Sequence, residues 1–181
     1  MKGIQGATFR SASLFPTESK KSGERAVRTH YVLSRVTWDI AALSVYIDEV
    51  YRFWAKAVGI SIPQWKILMA IEELDEESGV PINAVAKLLH VDPSFVTTQS
   101  RTLENKGLVR RRPSPNDARV VCMSLSDKMC EHLAILIPQQ EALDAFVFDE
   151  FARDDVVDFT VKLSALKKRL GKARLKIAME L

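Results

Sequence analysis

The chain has no run of eighteen apolar residues, so it offers no segment long enough to span a bilayer as a helix. Its opening stretch, MKGIQGATFRSASLF, lacks the apolar centre of a secretion signal. Cysteine is scarce. Cys122 and Cys130 are too few for a disulfide framework, and their spacing matches no metal pattern. They read as ordinary thiols, which usually pack as small apolar groups. Histidine is scarce too: His30, His90 and His132 fall on separate elements and form no evident acid–base site. HExxH, GxSxG, P-loop and dinucleotide-binding glycine patterns are all missing. These gaps argue against a membrane protein, a secreted disulfide scaffold, a metal centre and the common enzyme classes. A cytoplasmic chain with no cofactor and no metal is the expectation.

What is present is a core and an uneven charge. The 181 residues are 47% hydrophobic, enough for one domain, or one domain with an extension. The net charge of +3 hides a pattern. Residues 1–28 carry six basic and two acidic side chains, and residues 83–125 carry seven and three. Between them, residues 29–82 carry four basic and eight acidic. Localised positive charge suits a polyanion, although ordinary surface charge gives the same totals.

Residues 1–28, rich in Ser, Thr, Lys and Arg and without periodicity, read as a flexible tail. From about Thr29, Leu33, Val36, Ile40, Leu43, Ile47, Val50, Trp54 and Ala57 recur at spacings of three and four. That is a heptad-like stripe on one long helix, stopped at Gly59. Ser61 and Pro63 open a second helix over 62–75. Val80-Pro81-Ile82 is a short extended piece, and Asn83 is a candidate cap for a third helix with Val85, Leu88 and Leu89 inward. After a turn at His90 and Val91, Asp92 and Pro93 start a fourth helix that runs to Lys106 and is closed by Gly107. Leu108 to Arg112 and Arg119 to Leu125 read as two strands around the loop PSPND, a hairpin with a cationic tip. Ser126 caps a fifth helix over 127–150, which Pro138 should kink or divide. A sixth helix begins near Asp154, with Val156, Phe159, Leu163, Leu166, Leu170, Ala173 and Ile177 on one stripe and a basic end.

Helix, turn, helix, strand, basic loop, strand is the outline of a winged helix-turn-helix, a module that reads DNA. On the fourth helix, Val96, Ser100 and Leu103 lie toward the preceding helix. Ser94, Thr97, Thr98, Arg101 and Asn105 lie outward. Exposed helix faces favour Glu and Lys over Ser and Thr, which are weaker helix formers, so this face asks for another reason. Small hydroxyl residues let a helix sit deep in the major groove, Arg chelates guanine O6 and N7, and N-terminal amides can face phosphate. Arg119 at the loop is suited to a minor groove. Asp117 beside it would repel phosphate if alone and is better used to pair with an Arg and hold the loop's shape.

With those residues in hand, the chain resembles the MarR family of transcriptional regulators over roughly residues 30–170. The resemblance rests on Gly59-Ile-Ser-Ile-Pro-Gln-Trp65, on Val96-Thr97, on Leu103-Glu104-x-x-Gly107-Leu108-Val109 with Arg112, and on Asp117-Ala118-Arg119 leading to Leu125-Ser126. Each piece is weak alone, and their order and spacing together are specific. The resemblance implies a mainly α fold: six helices and a small β-wing. Residues 59–125 form its DNA-binding lobe, and residues 29–58 and 126–181 its helical dimerisation lobe. It implies a homodimer that reads a near-palindromic operator of double-stranded DNA, with Ser94, Thr97, Thr98, Arg101, Arg112, Asp117 and Arg119 as contact candidates. It also implies release by a small aromatic or anionic effector bound between the lobes. Tyr46, Trp54, Trp65, Met69 and His132 are candidates to line that site, although each reads more readily as a core residue. Neither cysteine lies near the start of the first helix, where redox-sensing members carry theirs. The expected function is therefore a ligand-responsive regulator, with repression its expected mode. A winged-helix protein-interaction module without DNA specificity stands as the alternative.

Overall fold

The computed structural model describes residues 23–74 and 79–180, with side chains from residue 31 onward except at 33. The chain divides into two compact units, residues 1–50 and 51–181, each taken by itself.

The described part of the first unit is helical throughout, because helix α1 spans Gly23–Val58. The expectation of a tail to residue 28 is corrected over 23–28: Glu24, Arg25 and Ala26 are good helix formers, and a charged composition alone does not unravel a helix. Residues 1–22 lie outside the described residues. Along α1, Val36, Leu43 and Ile47 of the apolar stripe are exposed, as are Tyr31, Trp38 and Tyr46.

The second unit begins inside α1, where Trp54 and Ala55 turn buried. It continues with α2 (Ile62–Leu74), β1 (Val80–Pro81), α3 (Ile82–Leu89), α4 (Pro93–Asn105), β2 (Val109–Pro113), β3 (Val121–Leu125), α5 (Asp127–Phe148) and α6 (Arg153–Glu180). This is the mainly α, winged-helix architecture that the sequence implied, with six helices among the described residues. No described helix is long and apolar enough to cross a membrane.

Local chemistry sets most boundaries. Gly59 and Gly107 take positive φ of 74° and 72° where α1 and α4 stop, a conformation that side chains with a Cβ resist. Ser61 and Gln64 form a reciprocal cap at the start of α2. The Gln64 N–H donates to Ser61 Oγ at 3.4 Å, and the Ser61 N–H donates to Gln64 Oε1 at 3.1 Å. Ser126 Oγ accepts from the Met129 N–H at 3.1 Å and donates to the Gly107 carbonyl at 2.6 Å, so one hydroxyl starts α5 and ties down the end of α4.

Four expectations need correction. Asn83 does not cap α3, because the helix starts directly from the strand at Pro81 and Asn83 falls inside its first turn. Leu88 is 39% exposed; the buried positions of α3 are Val85 and Ala86. Pro138 does not divide α5, which is continuous through it. The ring removes one amide, and both Pro138 and Ala134 are exposed, so the carbonyl left without its donor faces water. The hairpin also gains a third strand. β1 pairs antiparallel with β3 through Val80 with Met123 and Pro81 with Cys122, giving the order β1-β3-β2. Two residues are too few to show strand periodicity, and only the partner across the sheet reveals them.

The core of this unit lies between α2, α3, α4 and the sheet. Trp65, Leu68, Val85, Val96, Leu103 and Met123 are all sealed from solvent. Burying a side chain of this size is worth about 1.5–3 kcal/mol, which fixes the inward face of α4 and so aims its opposite face outward.

Candidate nucleic-acid interface

The helix-turn-helix is made by α3, the turn His90 to Asp92, and α4. His90 holds a left-handed φ of 54°, rare outside glycine but commoner for His than for most residues. The Val91 N–H returns to the Ala86 carbonyl at 3.1 Å and closes α3. Asp92 then caps α4, its Oδ1 accepting from the Ser94 N–H at 2.7 Å. Hydrogen bonds from the Ser94 hydroxyl and N–H hold the Asp92 carboxyl below its ordinary range.

That cap changes one expectation. Pro93 has no N–H, Ser94 gives its own to Asp92, and Phe95 and Val96 give theirs to the Asp92 carbonyl. The amides at the start of α4 are thus engaged within the chain, beside an exposed carboxylate. They are a poor phosphate cradle, because the side chain already satisfies the donors that an anion would use.

The outward face is as the helical spacing demands. Val96, Ser100 and Leu103 are buried, Ser94, Thr98 and Arg101 are exposed, and Thr97 is half-buried. The Ser100 hydroxyl is satisfied by donating to the Thr97 carbonyl at 3.1 Å. Thr97 and Thr98 donate their hydroxyls back to the carbonyls of Pro93 and Ser94, at 2.9 and 3.0 Å. What they offer outward is therefore methyl groups and oxygen lone pairs. Methyl groups suit contact with the thymine methyl in a major groove. Arg101 supplies the long cation on this face, and no carboxylate among the described residues pairs with it.

The wing shows how unequal three consecutive arginines are. Arg110 is ion-paired to Asp127. Arg111 turns toward α4, only 11% exposed in its side chain, and meets Glu104 at 3.6 Å. Its Nε is buried without an acceptor among the described residues. Arg112 is exposed and has no carboxylate partner among them, like Arg119. The register explains the alternation: Arg111 stands opposite Met123 on the sealed side, while Arg110 and Arg112 share the other face. Asp117 does shape the tip, but its partner is the backbone. Its Oδ1 accepts from the Arg119 N–H at 2.9 Å rather than from a guanidinium. The Ser114 N–H donates to the Val120 carbonyl at 2.7 Å and closes the loop.

The proposed effector residues are divided between the two units, and each is described within its own. Tyr46 is exposed on α1 in the first unit. Trp54 and Trp65 are core residues, 6% and 0% exposed. Met69 and His132 are half-buried. The Trp65 indole N–H is buried without an acceptor among the described residues. A cleft of about 500 Å³ does open between the end of α5 and the start of α6, but Phe148, Phe151, Val156 and Phe159 line it, and none of the five candidates does. No group of acidic, His or Cys residues among the described ones is arranged to hold a metal.

Comparison with known proteins meets this geometry where it matters. A model of the MarR family matches residues 60–121, the stretch from the start of α2 to the wing. Over residues 60–121 the winged helix is thus similar to the MarR family. Solved structures extend the likeness to most of the chain. A MarR protein from Peptoclostridium difficile is 20% identical, with a TM-score of 0.65, over 78% of this chain and 91% of that one. A MarR regulator from Methanosarcina mazei is 18% identical, with a TM-score of 0.65, over 77% and 99%. CouR from Rhodococcus jostii, bound to p-coumaroyl-CoA, is 18% identical, with a TM-score of 0.62, over 72% and 90%. No curated protein matches. The chain thus has the fold of solved MarR transcriptional regulators over most of its length.

Proposed function

We propose that this chain is a cytoplasmic transcriptional regulator of the MarR family that binds a near-palindromic operator as a homodimer and represses until a small effector releases it. One observation carries the DNA-reading part. The outward face of α4 presents Ser94, Thr97, Thr98 and Arg101, and on the wing Arg112 and Arg119 are left without carboxylate partners while Arg110 and Arg111 are engaged. Cations kept out of internal pairs remain available for phosphate or base edges.

Dimerisation is supported by apolar side chains that a monomer leaves in water. α1 exposes Val36, Leu43 and Ile47, and α6 exposes Phe159, Leu163, Leu170 and Ile177. Apolar faces of that extent usually mark an interface. A two-fold pair would set two reading helices about one DNA turn apart, hence the palindrome. Effector release is supported by the aromatic, anionic thioester that CouR binds, and Tyr46, Trp54, Trp65, Met69 and His132 remain the residues proposed to meet such a molecule.

Binding to duplex DNA as a function of salt tests the reading. Arg112 and Arg119 from two copies would release four counterions, a slope of log affinity against log salt of about −3 to −4. Palindromic duplex should be preferred over scrambled duplex, and an aromatic acid or its coenzyme A thioester should weaken that preference. A flat salt response with no sequence preference would instead favour a protein-interaction module.

A further inference from the structure

Buried polar side chains in a small core are usually satisfied locally, by the backbone beside them. Gln64 does more. It is only 7% exposed, and its amide works in two directions. Its Oε1 accepts from the Ser61 N–H at 3.1 Å, inside the cap of α2, while its Nε2 donates to Gln99 Oε1 at 3.0 Å. Gln99 is on α4, between the exposed Thr98 and the sealed Ser100. A second tie links the same neighbourhoods. Lys106, at the end of α4, donates its ammonium to the Gly59 carbonyl at 2.5 Å. The carbonyl of Lys106 in turn accepts from Lys128 at 3.0 Å. The short stretch from Gly59 to Gln64 therefore holds α4 at its middle and at its end.

We propose that Gln64 is a positioning residue for DNA reading: through Gln99 it sets the register of α4 against α2. The inference rests on the DNA-reading function proposed above. Its physical basis is direction. The apolar contacts between α2 and α4 are non-directional and tolerate small slides and rotations. A hydrogen bond between two planar amides does not, because distance and angle both restrict it. A reading helix must hold its side chains within about 0.5 Å and 10–20° of the productive pose, so a directional tie matters more to sequence preference than to stability. Gln64 itself is buried and needs no contact with DNA for this role.

The test uses the full chain throughout. A preferred duplex is selected from a random pool with the wild-type protein. Affinities for it and for a scrambled duplex are then measured for wild type, Gln64→Met, Gln99→Met, the double variant and Gln64→Glu, with Tm beside each. Gln64→Met and Gln99→Met should each lose about three- to tenfold on the selected duplex, the worth of one hydrogen bond. They should stay within about twofold on the scrambled one. The double variant should be no worse than the poorer single, because both remove one interaction. Gln64→Glu should keep nearly full preference, since its carboxylate accepts both from the Ser61 N–H and from a turned-over Gln99 amide. An unchanged ratio between the duplexes overturns the proposal. So does an equal loss on both duplexes in step with Tm, which would mean plain structural support. If the wild type selects no sequence at all, the DNA reading itself fails and this proposal falls with it. Selection retained by the Met variants removes only the role of Gln64.

Discussion

Arg101 and Arg119 are both exposed and free of carboxylate partners among the described residues, yet they should answer mutation differently. Arg101 projects from α4, where a guanidinium can chelate one base. Arg101→Ala should cost roughly 1–3 kcal/mol of binding to the preferred duplex and relax preference at one position. Arg119 stands on the wing tip, held there by the Asx turn of Asp117. Arg119→Ala should weaken all sequences alike and flatten the salt slope by about one unit. Titrating both variants on selected and scrambled duplexes at several salt concentrations separates the two outcomes. A uniform loss for Arg101→Ala would move that residue from base to phosphate. At this scale the outward face of α4 was legible in the sequence, because helical spacing alone separates Val96, Ser100 and Leu103 from Ser94, Thr98 and Arg101. The partner of Asp117 was not legible, since a carboxylate beside an arginine suggests a guanidinium pair and only loop geometry turns it to the backbone N–H.

Among the elements, β1 shows how much rests on a pairing that no local pattern announces. It is two residues long, and it packs onto β3 immediately after Gly79. Gly79 holds φ of 82°, and a Cβ there would meet the Met123 carbonyl oxygen at 3.2 Å and the Cys122 Cβ at 3.3 Å. Both the backbone angle and the backbone contact oppose a side chain. Gly79→Ala should destabilise the chain by about 1–2 kcal/mol, read as a lower urea midpoint with an unchanged slope. An unshifted midpoint would mean that β1 contributes little to the sheet. The long helices were easier to read. Capping residues Ser61, Asp92 and Ser126 mark the starts of α2, α4 and α5 chemically, and those boundaries match within a residue or two, whereas α1 begins at Gly23, ahead of the expected Thr29. Asn83 misled for the same reason: it is a good cap by type, but a strand delivers the chain to α3 two residues too early for it to serve.

For the whole molecule, α1 and α6 each expose a series of apolar side chains among the described residues. If they close a homodimer, sedimentation at micromolar concentration should give twice the 20.4 kDa chain mass. Leu163→Glu with Leu170→Glu should shift the population to monomer, since a charge buried in an apolar interface goes unpaired. A chain that stays monomeric, with or without these changes, would remove the two-fold operator from the proposal.

The sequence by itself determined the order of elements, the caps that begin α2, α4 and α5 and which face of α4 looks outward, because helix periodicity and capping act over four residues or fewer. It also carried the family pattern from Gly59 to Ser126. The tertiary structure alone decided which cations remain available. Arg110, Arg111 and Arg112 are alike in the sequence, and they differ only because Asp127 and Glu104 arrive from other elements to engage the first two. It likewise decided that the amides at the start of α4 are already used, and that Gln64 meets Gln99 across 35 positions. Partners of that kind are set by packing between elements, and no local pattern encodes where a neighbouring helix will place its side chains.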